Sequence, residues 1–181
     1  MENTFPQFFP IMQGGRQGPG MTVYIDSAPY PKVEDGDDPA TVALLKEDYA
    51  GAEGELSGVL QYVYQHMMSE GDESFANAML QIAIVEMTHL DMLGDAIKAL
   101  GGSPTFDNGK FYWDTSNVDY AAGLQEMLQA NINAEKTAIA NYGKHAAQTA
   151  NVFVKALLER IIKDEELHLR FFEETLAGLG R

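Results

Sequence analysis

The stretch from Ile82 to Leu93 places a glutamate and a histidine three positions apart in an apolar, strongly helical sequence. At that spacing the side chains of Glu86 and His89 leave the same face of a helix, about one turn apart. The apolar residues that share this face are Met79, Ile82, Ala83, Leu90, Leu93 and Ile97. Both polar side chains are therefore expected to point into a core, where an unpaired carboxylate is very costly. A metal ion binds both residue types, so the sequence predicts a pair of metal ligands here.

A second Glu-x-x-His pair occurs near the C-terminus, in the sequence Glu165-Glu166-Leu167-His168. The apolar stripe on which Glu165 falls consists of Leu158, Ile161, Ile162, Leu169, Phe172 and Leu176. Glu166 falls instead among basic residues on the polar side of the helix. We therefore expect Glu165 to point inward and Glu166 to face solvent. One such pair is weak evidence for a metal site, but two pairs on apolar stripes indicate a shared one.

Two further predicted helices each supply an acidic residue without a histidine. Glu135 lies on an apolar stripe, whereas the first helix offers both Glu53 and Glu55, and hydrophobic periodicity does not choose between them. Internal repetition favours Glu55, because it precedes the first Glu-x-x-His pair by 31 residues and Glu135 precedes the second by 30. Tyr62 and Tyr142 follow their respective glutamates by seven residues. The chain therefore resembles two copies of one helix pair.

The helical pattern predicts four long helices joined by links of unequal length. Their expected ranges are about 39–69, 73–100, 119–148 and 152–177, with the first beginning after the helix-capping sequence Asp37-Asp38-Pro39. The first and third links are short and require antiparallel pairs, whereas the middle link of about 18 residues can span a helix length. The expected fold is all-α, a ferritin-like four-helix bundle with a long crossover between helices 2 and 3.

The segment before the first helix has a different composition. Residues 1–38 are rich in proline, glycine and aromatic residues, which excludes a long helix. Their apolar content is too high for a free tail, so we expect an extended arm that packs on the body or on a second subunit. The predicted division is an arm over residues 1–38 and a bundle over residues 39–181.

The predicted bundle places all four glutamates near the middle of their helices. They would then lie at one depth with the two histidines, as in dinuclear carboxylate sites. The predicted ligand and catalytic residues are Glu55, Glu86, His89, Glu135, Glu165 and His168. Four carboxylates balance two divalent cations, and mixed carboxylate and imidazole ligation suits Fe or Mn better than Ca or Mg. The sequence therefore predicts two Fe or two Mn ions.

Three more residues are candidates for supporting these ligands. Asp164 stands four residues before His168, and we expect it to accept a hydrogen bond from the non-ligating N–H of His89. The equivalent position before Glu86 is Val85, so the two halves of the site are expected to differ. Tyr62 and Tyr142 are either core aromatic residues or hydrogen-bond donors to a ligand carboxylate.

The composition excludes several functional classes. The net charge of −15 argues against nucleic acid or an anionic membrane surface as the partner. The absence of cysteine excludes a rubredoxin centre, iron–sulfur clusters and thiol chemistry. No apolar run approaches the ~20 residues of a membrane span. The N-terminus lacks the basic region of a signal sequence, so we expect a cytoplasmic protein.

These motifs resemble those of the ferritin-like di-metal carboxylate superfamily over about residues 40–177. Residues 49–56, with the sequence YAGAEGEL, are similar to the first-helix motif of manganese catalases, in which the acid after glycine is a ligand; this independently favours Glu55. The spacing from Glu to Tyr and the small size look more like rubrerythrin and bacterioferritin. Ala138 stands where rubrerythrins carry a further glutamate, and Ala134 stands where manganese catalases usually carry a basic residue.

The resemblance implies an oxidoreductase that uses a di-iron or di-manganese centre on H2O2 or O2. Glu86 and Glu165 would bridge the metals, Glu55 and Glu135 would be terminal ligands, and each histidine would serve one metal. Manganese would favour peroxide disproportionation, whereas a peroxidase would need an external electron donor. The alternatives are a ferroxidase that stores iron and a coat or structural protein that keeps the site for stability. We expect a homodimer or a higher homo-oligomer.

Overall fold

Five α-helices make up most of the residues that the structure, a computed structural model, describes, which are 24–69 and 71–180. The helices are α1 (Pro39–Ala50), α2 (Glu55–Met68), α3 (Glu73–Ala99), α4 (Leu124–Gln148) and α5 (Val152–Leu179), with a short 3-10 helix at Thr115–Asn117. α2 packs along α3 and α4 packs along α5. The prediction of an all-α bundle built from two helix pairs is therefore confirmed.

Side-chain caps define where three of the helices begin. The carboxylate of Asp38 accepts a hydrogen bond from the backbone N–H of Thr41, immediately before α1. Asp72 caps α3, and the side chain of Asn151 caps α5. Each cap satisfies a backbone donor that has no partner within its helix. The predicted starts of these helices agree with the structure.

The first helix of the prediction is wrong in one respect, because the structure breaks it into α1 and α2. The backbone is extended at Gly51 and at Gly54. A Cβ atom at Gly54 would lie 2.7 Å from the carbonyl oxygen of Asp48, so the close approach of the two backbone segments requires glycine there. Glu55 consequently stands in the first turn of α2 and not in the middle of a continuous helix.

The crossover is longer than expected. It covers residues 100–123, because α4 begins at Leu124 and not at Asp119. The carboxylate of Asp119 accepts a hydrogen bond from the N–H of Ala121, which makes a local turn instead of a helix start. The indole N–H of Trp113 donates to the hydroxyl of Ser57 and holds the crossover against α2.

Two apolar clusters fill the bundle, one on each side of a polar layer. The first contains Leu45, Tyr49, Leu93, Ile97, Leu158 and Ile161, and the second contains Met79, Ile82, Met127, Leu128, Ile132 and Phe172. On α3, α4 and α5 the residues between the two clusters include the predicted metal ligands. The predicted ligands therefore lie in a polar layer between two apolar regions.

The described part of the N-terminal segment, residues 24–38, contains no helix and packs on the bundle. The backbone N–H of Gly36 donates to the carbonyl of Ala99, and Val33 joins the first apolar cluster. The predicted contacts of residues 1–23 lie outside the described residues, and the boundary at residue 38 stays a prediction. In the described part of the chain, no helix is long and apolar enough to cross a membrane.

Candidate metal centre

The six predicted ligand residues converge in the polar layer of the bundle, where each is at most 4% exposed. Their ligand-type atoms form two groups, each lying within 4.8 Å of one another: Glu55, Glu86, Glu165 and His89 in one, and Glu86, Glu135, Glu165 and His168 in the other. Glu86 and Glu165 belong to both groups. We call the six residues the carboxylate–histidine cluster.

The Nδ1 atom of His89 faces three carboxylates. It lies 3.3 Å from Glu86 Oε2, 3.1 Å from Glu165 Oε1 and 3.6 Å from Glu55 Oε1. The partner in α3 is three residues away in sequence, whereas the other two carboxylates come from α5 and α2. The first half of the cluster therefore joins three helices around one imidazole nitrogen.

The Nδ1 atom of His168 repeats this arrangement. It lies 3.0 Å from Glu165 Oε2, 3.1 Å from Glu86 Oε1 and 3.7 Å from Glu135 Oε1. The two carboxylates shared between the groups thus present one oxygen to each histidine. The internal repeat of the sequence becomes an approximate twofold arrangement of side chains.

The other ring nitrogen of each histidine has an acceptor partner. Nε2 of His89 lies 3.0 Å from Asp164 Oδ2, and Nε2 of His168 lies 2.9 Å from the backbone carbonyl oxygen of Tyr24. A carboxylate and a carbonyl only accept, so Nε2 carries the proton in both rings. The lone pair of a neutral imidazole then lies on Nδ1, which faces the carboxylates and is the atom available to a metal.

Asp164 is held by partners that sequence analysis missed. Its Oδ2 atom accepts a hydrogen bond of 2.5 Å from the hydroxyl of Tyr30 and lies 2.8 Å from Arg160 Nη1. Its Oδ1 atom accepts one of 2.6 Å from the backbone N–H of Asp26. Burial opposes ionisation of Asp164, but the hydrogen bonds to His89, the Tyr30 hydroxyl and the Asp26 N–H, together with the charge of His89, lower its pKa. Asp164 is therefore a fixed carboxylate behind one half of the cluster only.

The tyrosines of the internal repeat bond across the bundle. The hydroxyl of Tyr62 donates to Glu135, and the hydroxyl of Tyr142 donates to Glu55. Both rings are buried. Each tyrosine therefore holds the unshared glutamate of the other helix pair and not the one that precedes it in sequence.

The four glutamates divide into two kinds by their pKa. Burial raises the pKa of Glu55 and Glu135 well above the usual range, and the neighbouring carboxylates raise it further. Burial has the same effect on Glu86 and Glu165, but hydrogen bonds from the histidines outweigh it and lower their pKa. Without metal, the two shared glutamates therefore lose their protons more readily than Glu55 and Glu135 do.

The histidines complete this charge pattern. Burial alone would lower the pKa of His89 and of His168, but the surrounding carboxylates raise it well above the usual value. The shared carboxylates therefore favour the protonated form of both imidazoles. Without metal, protons compensate the buried acids, and divalent cations could replace those protons.

The donor set fits a pair of transition-metal ions. It offers carboxylate oxygen and imidazole nitrogen, a combination that suits Fe and Mn. The Oε2 atom of Glu55 is buried and has no hydrogen-bond partner among the described residues. A buried oxygen of this kind is costly unless something else binds it. The residues present therefore fit two metal ions.

A cleft reaches the cluster from the side of α2 and α4, opposite the histidines. Small residues line it at Gly54, Gly58, Ala134 and Ala138, and the four buried glutamates of the cluster lie at its inner end. A Cβ atom on Gly58 would meet the side chain of Glu86 at 3.7 Å. The cleft therefore offers a small molecule a route to the glutamates.

Glu53, the other acidic candidate near the start of α2, does not belong to the cluster. Glu53 lies at the mouth of the cleft and outside the cluster, which agrees with the choice of Glu55. Burial, and then the charge of Asp119, raise its pKa.

A second buried histidine lies outside the cluster. Nδ1 of His145 lies 2.8 Å from Asp48, and both residues are buried. His145 and Asp48 thus form a buried pair that joins α4 to α1.

Comparison with known proteins agrees with this geometry. The ferritin-like domain family matches residues 50–181. The chain belongs to this family. The assignment to the ferritin-like di-metal carboxylate superfamily is therefore confirmed, and so is the ferritin-like bundle.

The similar proteins include both manganese catalases and bacterioferritins. The chain is 28% identical over 124 residues to a bacterioferritin of Desulfovibrio desulfuricans, with 66% of each chain covered, so it spans about two thirds of that relative's length. It is 23% identical over 162 residues to a probable manganese catalase of Clostridium acetobutylicum, covering 77% of this chain and 72% of the relative. The structure of a manganese catalase from Anabaena PCC7120 superimposes with a TM-score of 0.78 at 28% identity, covering 88% of this chain and 81% of the other.

Proposed function

We propose that the chain is a dinuclear metal oxidoreductase that acts on H2O2 or O2. The observation that carries the proposal is that two buried groups of ligand-type side chains share Glu86 and Glu165. The chain's relatives include manganese catalases and bacterioferritins, which supports two Mn or two Fe ions as the cofactor. Such ions would supply Lewis acidity and reversible changes of oxidation state for chemistry on an O–O bond.

The residues divide the work of holding the metals. Glu86 and Glu165 present one oxygen to each half and would bridge the two ions. Glu55 and Glu135 would each be the terminal carboxylate of one ion, held in place by a tyrosine hydroxyl from the opposite helix pair. The histidines would each provide Nδ1 to one ion, because Nε2 carries the proton in both rings.

The two faces of the cluster would have different tasks. Asp164 and the carbonyl of Tyr24 fix the histidine face and exclude water from it. The glutamate face opens on the cleft, whose lining at Gly58 and Ala138 leaves space for a small oxidant. Substrate would therefore approach from the side of α2 and α4 and meet the carboxylates that hold the metals.

Peroxide turnover separates the possible reactions. Disproportionation converts two H2O2 into two H2O and one O2 and needs no reductant, whereas a peroxidase consumes an external electron donor. We would load the metal-free protein with Mn(II) or Fe(II) and measure O2 release and peroxide loss, with and without reductant. Glu165→Ala is expected to abolish turnover, and Glu166→Ala, which changes the exposed neighbouring residue, is the matched control. Equal turnover in both variants would contradict the proposal.

A ferroxidase that stores iron is the second candidate, because a bacterioferritin is among the similar proteins. Storage in a shell requires a large oligomer, whereas we propose a homodimer or small homo-oligomer for the enzyme. Size-exclusion chromatography distinguishes the two assemblies. A coat or structural role would be indicated by a protein that binds two metals and turns over neither peroxide nor O2.

A further inference from the structure

The segment from Tyr24 to Tyr30 lies against the histidine face of the cluster and contacts the supports of both histidines. The carbonyl oxygen of Tyr24 accepts from Nε2 of His168 at 2.9 Å. Six residues further along, the hydroxyl of Tyr30 donates to Asp164 at 2.5 Å, and its oxygen lies 3.5 Å from Nε2 of His89. We call residues 24–30 the strap. One short segment of irregular chain thus supports both halves of the site.

Arg160 fastens the strap to α5. Its Nε atom donates to the carbonyl of Ala28 at 2.7 Å, and its Nη2 atom donates to the carbonyl of Asp26 at 2.6 Å. The guanidinium carbon lies 4.1 Å from the centre of the Tyr30 ring, a cation–π contact. The same guanidinium lies 2.8 Å from Asp164. Arg160 is only 4% exposed, so these contacts are shielded from water.

The edge of the Tyr30 ring approaches His89. The two ring centroids are 6.1 Å apart at an interplanar angle of 75°, and the same Tyr30 ring contacts the guanidinium of Arg160. The orientation of His89 is therefore fixed by Asp164 and by a ring that belongs to the strap. Displacement of the strap would remove the Tyr24 carbonyl from Nε2 of His168 and the Tyr30 hydroxyl from Asp164, the partner of Nε2 of His89.

We infer that the strap is a positioning element, with Tyr30 and Arg160 as its positioning residues, and that docking of residues 24–30 and metal binding at the cluster are thermodynamically coupled. This inference rests on the proposed function, because it requires the cluster to bind metal. A docked strap holds both Nδ1 atoms towards the carboxylates, which favours metal. By reciprocity, bound metal holds the histidines and favours the docked strap by the same factor.

Hydrogen exchange and metal titration test the coupling in the full chain. In the wild-type protein, Mn(II) is expected to slow amide exchange in peptides covering residues 24–30, including the Asp26 N–H that donates to Asp164. Tyr30→Phe removes the hydroxyl contact and is expected to weaken Mn(II) binding about tenfold, as is common for outer-shell partners of metal ligands. The same variant is expected to reduce the protection of the strap by metal.

Tyr49→Phe is the matched control, because it removes a buried tyrosine hydroxyl that donates to the carbonyl of Pro104, away from the cluster. It is expected to bind Mn(II) as the wild type does. Unchanged exchange of residues 24–30 in a wild-type protein that binds two Mn(II) would overturn the coupling, as would wild-type affinity in Tyr30→Phe. A wild-type protein that binds no metal in the titration would contradict the proposed function itself. The titration therefore distinguishes failure of the proposed function from failure of the coupling.

Discussion

The hydroxyl of Tyr62 on α2 donates a 2.5 Å hydrogen bond to Glu135 on α4. The bond joins the two helix pairs of the repeat, and its counterpart from Tyr142 to Glu55 runs in the opposite direction. Each terminal carboxylate is therefore oriented by the half of the bundle to which it does not belong. This exchange ties the packing of the bundle to the geometry of the site.

Tyr62→Phe is expected to weaken metal binding and to leave the bundle folded. The substitution removes one donor to a buried carboxyl, and such a loss costs about 1–3 kcal/mol. Metal affinity measured by competition with a chelator, together with thermal unfolding, checks the prediction. Tyr64→Phe is the control, because that exposed hydroxyl donates to the carbonyl of Tyr120. Equal metal affinities for the two variants would contradict a role for Tyr62 at the site.

Asp164→Asn is expected to weaken one metal position selectively. Asp164 supports His89, whereas His168 is supported by the carbonyl of Tyr24. Loss of an outer-shell carboxylate typically reduces metal affinity about 10- to 100-fold. A Mn(II) titration should change from two similar steps to one tight and one weak step. Equal weakening of both steps, or no change in either, would show that the asymmetry has no effect on binding.

Ala138→Leu is expected to slow peroxide turnover without loss of metal. Ala138 lines the cleft beside Glu135, so a larger side chain would narrow the route to the glutamates. We expect kcat/KM for H2O2 to fall at least about tenfold, or about 1.4 kcal/mol in activation free energy, while metal content stays at two per chain. Ala140→Leu, on an exposed position of the same helix, is the control. Normal turnover by a fully loaded Ala138→Leu protein would place the substrate route elsewhere.

The metal-free protein is expected to lose stability as the pH rises from 6 to 8. The folded chain keeps protons on His89 and His168, whose pKa is raised, whereas unfolded histidines release theirs near pH 6.5. The folded state then binds more protons than the unfolded state. For each extra proton bound, the free energy of unfolding falls by about 1.4 kcal/mol for every pH unit.

Bound metal should oppose this loss of stability with rising pH. The metals compete with the protons of the imidazoles and with those of Glu55 and Glu135. Metal binding should therefore release protons, and the metal affinity should increase as the pH rises. Thermal unfolding at several pH values, with and without Mn(II), measures both effects. Metal affinity that does not change with pH would contradict the assigned protonation states.

The convergence of the six cluster residues could be predicted from the sequence because helical periodicity is local. Glu86 and His89 share a helix face whatever the rest of the chain does, and the repeat at Glu165 and His168 identified their partners. Glu55, which the sequence favoured over Glu53, lies in the cluster and Glu53 does not, but the helix break before Glu55 was not predicted. That break depends on the close approach of two backbone segments at Gly54, which periodicity does not reveal.

The strap could not be predicted in detail. Tyr24 acts through a backbone carbonyl, which every residue possesses, so no side-chain pattern marks it. Tyr30 and Arg160 meet only because irregular chain folds back on α5. Arg160 was detectable in one respect, since it lies four residues before Asp164 on the same helix, at a spacing that allows an ion pair.

The metal content of the purified protein tests the central claim most directly. Protein from metal-replete cells should contain two Fe or Mn ions per chain, measured by elemental analysis. Glu165→Ala should lose metal from both positions, because Glu165 belongs to both groups of ligands, whereas Glu166→Ala should retain two ions. Fewer than about one transition-metal ion per wild-type chain, with the same content in Glu165→Ala, would contradict the assignment of this site.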